Sequence, residues 1–144
     1  MNILDNTINV EDNYKDLRKN VYEFGFPRNT KQHILRTVID WSVIPHFEFF
    51  YDYPGNEEIK EYFKASIICK EYNDMVLDLE PNNGIVLVNL LFFAEHWEEF
   101  VYEVQSLGIM GIVKDFTYIF EFTDDSEYKC YSNFQILPNT YINL

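Results

Sequence analysis

Glycine is scarce in this chain of 144 residues: only five are present, each standing alone. Without a glycine-rich run there is no loop to cradle phosphate. Histidine is scarcer still, with His33, His46 and His96 scattered and no HExxH or CxxC spacing, so no metal centre is expected. Cys69 and Cys130 are too few for a disulfide framework. Both lie in apolar, strand-like segments and are expected to be inert buried thiols in a reducing compartment. The longest apolar run, Gly84 to Ala94, is about half of the ~20 residues that span a bilayer. Met1 to Val10 is polar rather than leader-like, so a soluble cytoplasmic protein is expected. Positive charge is also short. From Glu71 to Val113 there is no Lys or Arg, against eight carboxylates, Glu71, Asp74, Asp78, Glu80, Glu95, Glu98, Glu99 and Glu103.

What is present argues for a folded domain. The composition is 47% hydrophobic and 18% aromatic, which outweighs the disordering tendency of a formal charge of −13. The length fits one domain spanning 1–144 with its own core. Charge is unevenly spread: residues 1–36 balance at +1 and residues 37–144 at −14. Such a field disfavours nucleic acid and anionic lipid and favours a basic protein partner. The same charge also serves solubility in an aromatic-rich chain.

Periodicity predicts the elements. Tyr14, Leu17, Val21 and Phe24 make one face of a helix over 11–24, ended by Gly25 and Pro27. A second helix is expected over 31–41, with Ile34, Leu35, Val38 and Trp41 on one side. His46 to Tyr53 reads as a strand, 56–63 as a short helix, and Ala65 to Cys69 as a strand. Met75 to Glu80 alternates, Pro81 to Gly84 turns, and Ile85 onward returns, a hairpin near 75–92. Phe93, Trp97, Phe100, Val101, Val104 and Leu107 form the apolar stripe of a helix near 93–107. A strand over 109–113 and a second hairpin near 116–136 complete an α+β fold with a largely antiparallel sheet.

No catalytic constellation emerges. A Cys–His pair from Cys69 or Cys130 has no local support, and carboxylates in number say nothing about separated pKa values. Glu95, His96 and Glu99 stand near one helical turn, but His96 is expected to be solvated rather than a ligand. No cofactor is expected. Asp12 with Lys15 and Asp16 with Lys19 suit ordinary helix pairing. The remaining candidate is a partner-binding surface made by Asp78, Glu80, Glu95, Glu98, Glu99, Tyr102 and Glu103. These groups are expected to converge on one exposed patch that the chain's own cations leave unneutralised. Tyr72 and Tyr102 are the tyrosines available as contact anchors. The plain alternative is a solvated acidic face.

The segment from Ile67 to Val101 resembles the core of the SUKH superfamily of immunity proteins. The likeness rests on a strand, a hairpin carrying Leu77-Asp78-Leu79, and a helix containing Trp97-Glu98-Glu99-Phe100. Gly25-Phe26-Pro27 before a helix is similar to that family's proline-marked helix. The resemblance implies an immunity protein of a bacterial polymorphic or contact-dependent toxin system, neutralising a cognate toxin. A compact acidic chain suits a basic nuclease-type toxin. Two other readings stay open: a nucleic-acid mimic inhibiting a DNA-binding enzyme, and an uncharacterised enzyme.

Overall fold

The computed structural model describes residues 2–31, 37–51, 55–104, 108–123, 128–138 and 142–143; for Glu103, Val104, Ile142 and Asn143 it describes the backbone only. The run Asp74-Met-Val-Leu-Asp-Leu79 forms strand β3 and Gly84-Ile-Val-Leu-Val-Asn89 forms β4, in register from Asp74 opposite Asn89 to Leu79 opposite Gly84. Gly84 opens the return strand at φ 71°, a left-handed conformation that glycine adopts without Cβ strain. The other strands are β1 (Ile8–Asn9), β2 (His46–Phe50), β5 (Ile109–Ile112), β6 (Ile119–Phe122), β7 (Lys129–Ser132) and β8 (Ile142–Asn143). They join in one sheet of order β1-β4-β3-β5-β6-β7-β2-β8. Every pairing is antiparallel.

Both faces of the sheet are covered, which explains why Met75 to Leu79 of β3 are buried on both sides. On one face lie α2 (Asn56–Lys64), α3 (Ile67–Glu71) and α4 (Leu90–Glu95). Ile59, Phe63, Ile68, Phe93, Trp97 and Phe100 from this helical layer pack on Met75, Leu77, Phe120 and Phe122. On the other face lies α1 (Leu17–Phe24), whose Leu17 and Val21 join Ile39, Trp41, Val76, Ile112, Ile119 and Tyr131. Packing leaves no room for a side chain at Gly111, where an added Cβ would lie 2.3 Å from Phe120 Cζ.

Four expectations need correction. The first helix starts at Leu17, because 11–13 form a separate 3-10 turn. The stretch 65–69 is not a strand: Ser66 precedes α3, and Cys69 sits on that helix. In the expected second helix, 32–36 lie outside the described residues, His33 among them, and 37–40 are not helical. Asn29 N bonds Val38 O (3.0 Å), Asp40 N bonds Pro27 O (2.9 Å), and Trp41 begins a 3-10 turn. The β-branched run Thr37-Val38-Ile39 favours that extended pairing. Lastly, the helix near 93–107 is two pieces. It starts earlier, at Leu90, where Asn89 Oδ1 accepts the Phe92 amide (2.9 Å). It changes pitch at His96, and Glu99–Val104 continue as a π-helix turn. The apolar stripe survives the change, with Phe93, Trp97, Phe100 and Val101 all buried. Residues 105–107 lie outside the described residues.

Candidate functional site

The acidic residues singled out from sequence divide between the two faces of the sheet. Glu95, Glu98, Glu99 and Tyr102 do come together. Their backbone follows α4 into the π-helix turn, and Trp97 Nε1 donates to Asn56 O of α2 (3.3 Å), holding the two helices side by side. Between them runs a cleft of about 290 Å³ lined by Lys60, Glu95, His96, Glu98, Glu99 and Tyr102. Lys64 Nζ lies 3.2 Å and Lys60 Nζ 3.9 Å from the Glu95 carboxylate. The hydrogen bond from Lys64 holds Glu95 below the usual carboxylate range. Asn56 Nδ2 donates to Glu98. His96 is not a free solvated ring: Nδ1 lies 2.9 Å from Glu99 Oε1, and the ring packs 4.5 Å from that of Phe92. The Glu103 side chain lies outside the described residues.

Among the described side chains, α2, α4 and the turn after it carry Glu57, Glu58, Glu61, Glu95, Glu98 and Glu99 against Lys60 and Lys64, with Lys60 Nζ 3.1 Å from Glu57 and Lys64 Nζ 3.6 Å from Glu61. Tyr102 is 49% exposed while its ring edge meets Tyr51 at 5.7 Å, an aromatic fixed at one edge and open at the other. Tyr62 on α2 is exposed as well. Tyr72, the other proposed anchor, is committed instead to donating to Asp115 Oδ2 (2.6 Å).

Asp78 and Glu80 belong to the opposite face. Asp78 is buried, its side chain 1% exposed, and Arg18 Nε of α1 donates to Oδ2 at 2.9 Å. It cannot serve as an exposed contact. The alternation placed it on the face opposite Leu77 and Leu79, but α1 covers that face. Glu80 is half-buried next to it, and its pKa is raised by burial and by the Asp78 charge. The expected single unneutralised patch is therefore two separate places. Arg18 serves Asp78, Lys60 and Lys64 serve Glu95, and Lys114 stands 3.9 Å from Asp74. The absence of cations over 71–113 was a property of sequence alone. Cations from α1, α2 and the turn after β5 reach Asp78, Glu95 and Asp74.

Sequence reasoning missed the most unusual carboxylate. Glu121 is 4% exposed, in the middle of β6. Its carboxylate accepts the amides of Val38 (2.8 Å) and Ile39 (2.8 Å) and the Trp41 indole N–H (3.0 Å), pinning 38–41 to the sheet. Burial pushes its pKa up to about 7. A charged residue among Phe120, Phe122 and Ile119 was the available signal, since an acid at a buried strand position needs several donors. Its register neighbours complete a row across the same face: Asp78 opposite Met110, Met110 opposite Glu121, Glu121 opposite Tyr131, and Tyr131 opposite Glu48. Glu48 in turn meets Lys129 at 3.3 Å.

Neither thiol is activated. Burial raises Cys69 to about 11 and Cys130 well above its ordinary value, so both stay protonated at neutral pH. Among the described residues, no three His, Cys, Asp or Glu side chains are grouped to hold a metal ion, and no helix is long and apolar enough to cross a membrane. Comparison of the chain with protein-family models, with curated proteins and with solved structures found no match.

Proposed function

We propose that this protein binds and neutralises a basic protein through its helical layer, as a cytoplasmic immunity protein blocks a bacterial toxin domain of the nuclease type. The observation that carries this reading is the surface of α2, α4 and the turn after it: among the described side chains, six carboxylates against two lysines, beside the half-exposed ring of Tyr102. The carboxylates supply steering and specificity, and the tyrosine supplies buried area on docking. The sequence likeness of the Leu77-Asp78-Leu79 hairpin and of Trp97 to Phe100 to SUKH immunity proteins favours the same reading, although the stretch from Ile67 read as that family's strand is the helix α3. Asp78 and Glu80 have no part in this interface. Glu57 and Glu61 already meet Lys60 and Lys64; basic groups of the partner would relieve the negative field of the remaining acids, Glu58, Glu98 and Glu99, so association should be fast and salt-sensitive.

The test is co-expression with the product of the adjacent gene. A complex that forms at low salt, relieves toxicity, and is lost in the double variant Glu98→Lys/Glu99→Lys supports the proposal. No complex and no relief would sink it. Adding duplex DNA separates the nucleic-acid mimic: a mimic competes with DNA for one site on several unrelated DNA-binding enzymes, whereas an immunity protein acts on its cognate partner alone.

A further inference from the structure

Among the described residues, two besides glycine hold a left-handed backbone: Phe116 at φ 64° and Tyr128 at φ 50°. The Cβ crowds the chain in that region, so glycine or asparagine suits it and a bulky ring is strained. Phe116 is half-buried and stacks on Phe24 at 5.4 Å. Tyr128, just before β7, stays 41% exposed, so burial offsets little of its strain. Such strain persists where the surroundings hold it, and it gathers at functional sites.

The ring of Tyr128 meets that of Tyr51 at 5.9 Å, nearly perpendicular, and the Tyr51 amide donates to Tyr128 O (2.9 Å). Tyr51 itself is 1% exposed and donates its hydroxyl to Thr123 O. Tyr102, from the π-helix turn, leans on the same ring at 5.7 Å and is 49% exposed. One buried tyrosine therefore carries two half-exposed ones and holds both from the inner side. Rigid, half-open tyrosines bring contact area at little rotamer cost, the property of interface anchors. Lys129, next to Tyr128 in sequence, turns away to Glu48 (3.3 Å) and the Phe50 ring (5.1 Å).

The groups beside the rings select the occupant. Tyr102 lines one cleft with Glu98 and Glu99. Asn56 and His96 are the hydrogen-bonding partners of these two carboxylates, and neither carboxylate forms an ion pair with a described Lys or Arg. An aromatic ring beside a carboxylate suits arginine, whose planar guanidinium stacks on the one while bonding the other. We propose that Tyr102 and Tyr128 are paired anchors for an arginine-bearing segment of the protein partner. The guanidinium sits between the Tyr102 ring and Glu98 or Glu99, and the rest of the segment runs over Tyr128. This inference rests on the function proposed above and extends that surface past the acids to the residue that precedes β7.

The test is the dissociation rate of the complex with the product of the adjacent gene, with urea unfolding measured on the same full-length proteins. Tyr128→Asn removes the ring and suits the left-handed backbone. It should release the partner about tenfold faster, the size of one interface anchor, while the urea midpoint stays level or rises. Tyr102→Ala should speed release by a similar factor. Both should leave the salt dependence of association unchanged, since the carboxylates set it. Ile8→Ser, 64% exposed on β1 at the opposite edge of the sheet, should leave release unchanged. A lower midpoint for Tyr128→Asn assigns the ring to the fold's own packing and overturns the inference. Unchanged release in either tyrosine variant, with the complex intact, also overturns it and leaves the function proposed above standing. No complex with the wild-type protein removes that function and this inference with it.

Discussion

The two faces of the sheet solve the same packing problem with different chemistry. Beneath α2, α3 and α4 the core is almost wholly apolar, and aromatic rings set its geometry. Phe120 alone lies within 5.4–6.5 Å of Phe63, Phe93, Phe122 and Phe134, mostly edge-on or tilted. Beneath α1 the sheet carries acids in its middle, and each ties something down. Asp78 holds α1 through Arg18, and Glu121 holds 38–41 through three N–H donors. The aromatic face draws its stability from area removed from water, without directional demand. The carboxylate face depends on each buried charge keeping its partners, because an unpaired one is costly. The two faces should therefore fail differently.

The largest effect is expected from Phe120→Ala, which empties the centre of the ring cluster. A loss of about 3–5 kcal/mol is typical for such a truncation. It should appear as a lower urea midpoint with little dependence on pH. Arg18→Ala should cost less, roughly 2 kcal/mol. It strands the buried Asp78 carboxylate, but Arg18 is itself about half exposed, so water reaches the gap. A midpoint equal to wild type would show that Asp78 finds another partner and that the contrast between faces is overstated.

Glu121 sharpens the comparison through pH. Its folded pKa of about 7 lies above the 4.5 of a free carboxyl. Between these values the folded protein keeps a proton that the unfolded chain releases, so stability falls as pH rises through this window. The slope approaches about 1.4 kcal/mol per pH unit for one proton. Comparing wild type with Glu121→Gln between pH 5 and 8 isolates this contribution. Parallel curves would show that Glu121 does not titrate there. The smallest expected effect is on the helical-layer rim: Glu98→Gln or Glu99→Gln should move the unfolding midpoint by less than about 0.5 kcal/mol. Their influence should be confined to partner binding.

Legibility in the sequence followed the same division. The hairpins were readable because local rules set them: alternation, then Pro81 to Gly84 and return in the first, and the alternating run ending at Phe122 in the second. The helical stripe Phe93, Trp97, Phe100 and Val101 was readable because spacing of three and four survives a change of pitch at His96. By contrast, Thr37 to Trp41 looked helical by periodicity, yet pairs with 27–29 and Glu121. Asp78 looked exposed because alternation says which residues share a face, not whether that face meets water. Ile67 to Glu71 was too short and too apolar for periodicity to separate helix from strand.

By itself the sequence determined an α+β domain with two hairpins, its strong negative charge, and the joint placement of Glu95, Glu98, Glu99 and Tyr102 on one helical stretch. These depend on neighbours a few positions apart, so the chain carries them locally. Only the tertiary structure decided that both faces of the sheet are covered, that Arg18 meets Asp78 across 60 positions, and that Glu121 binds a segment more than 80 positions away. Burial and long-range pairing arise from the packing of whole layers, and no local pattern encodes which charge another layer will reach.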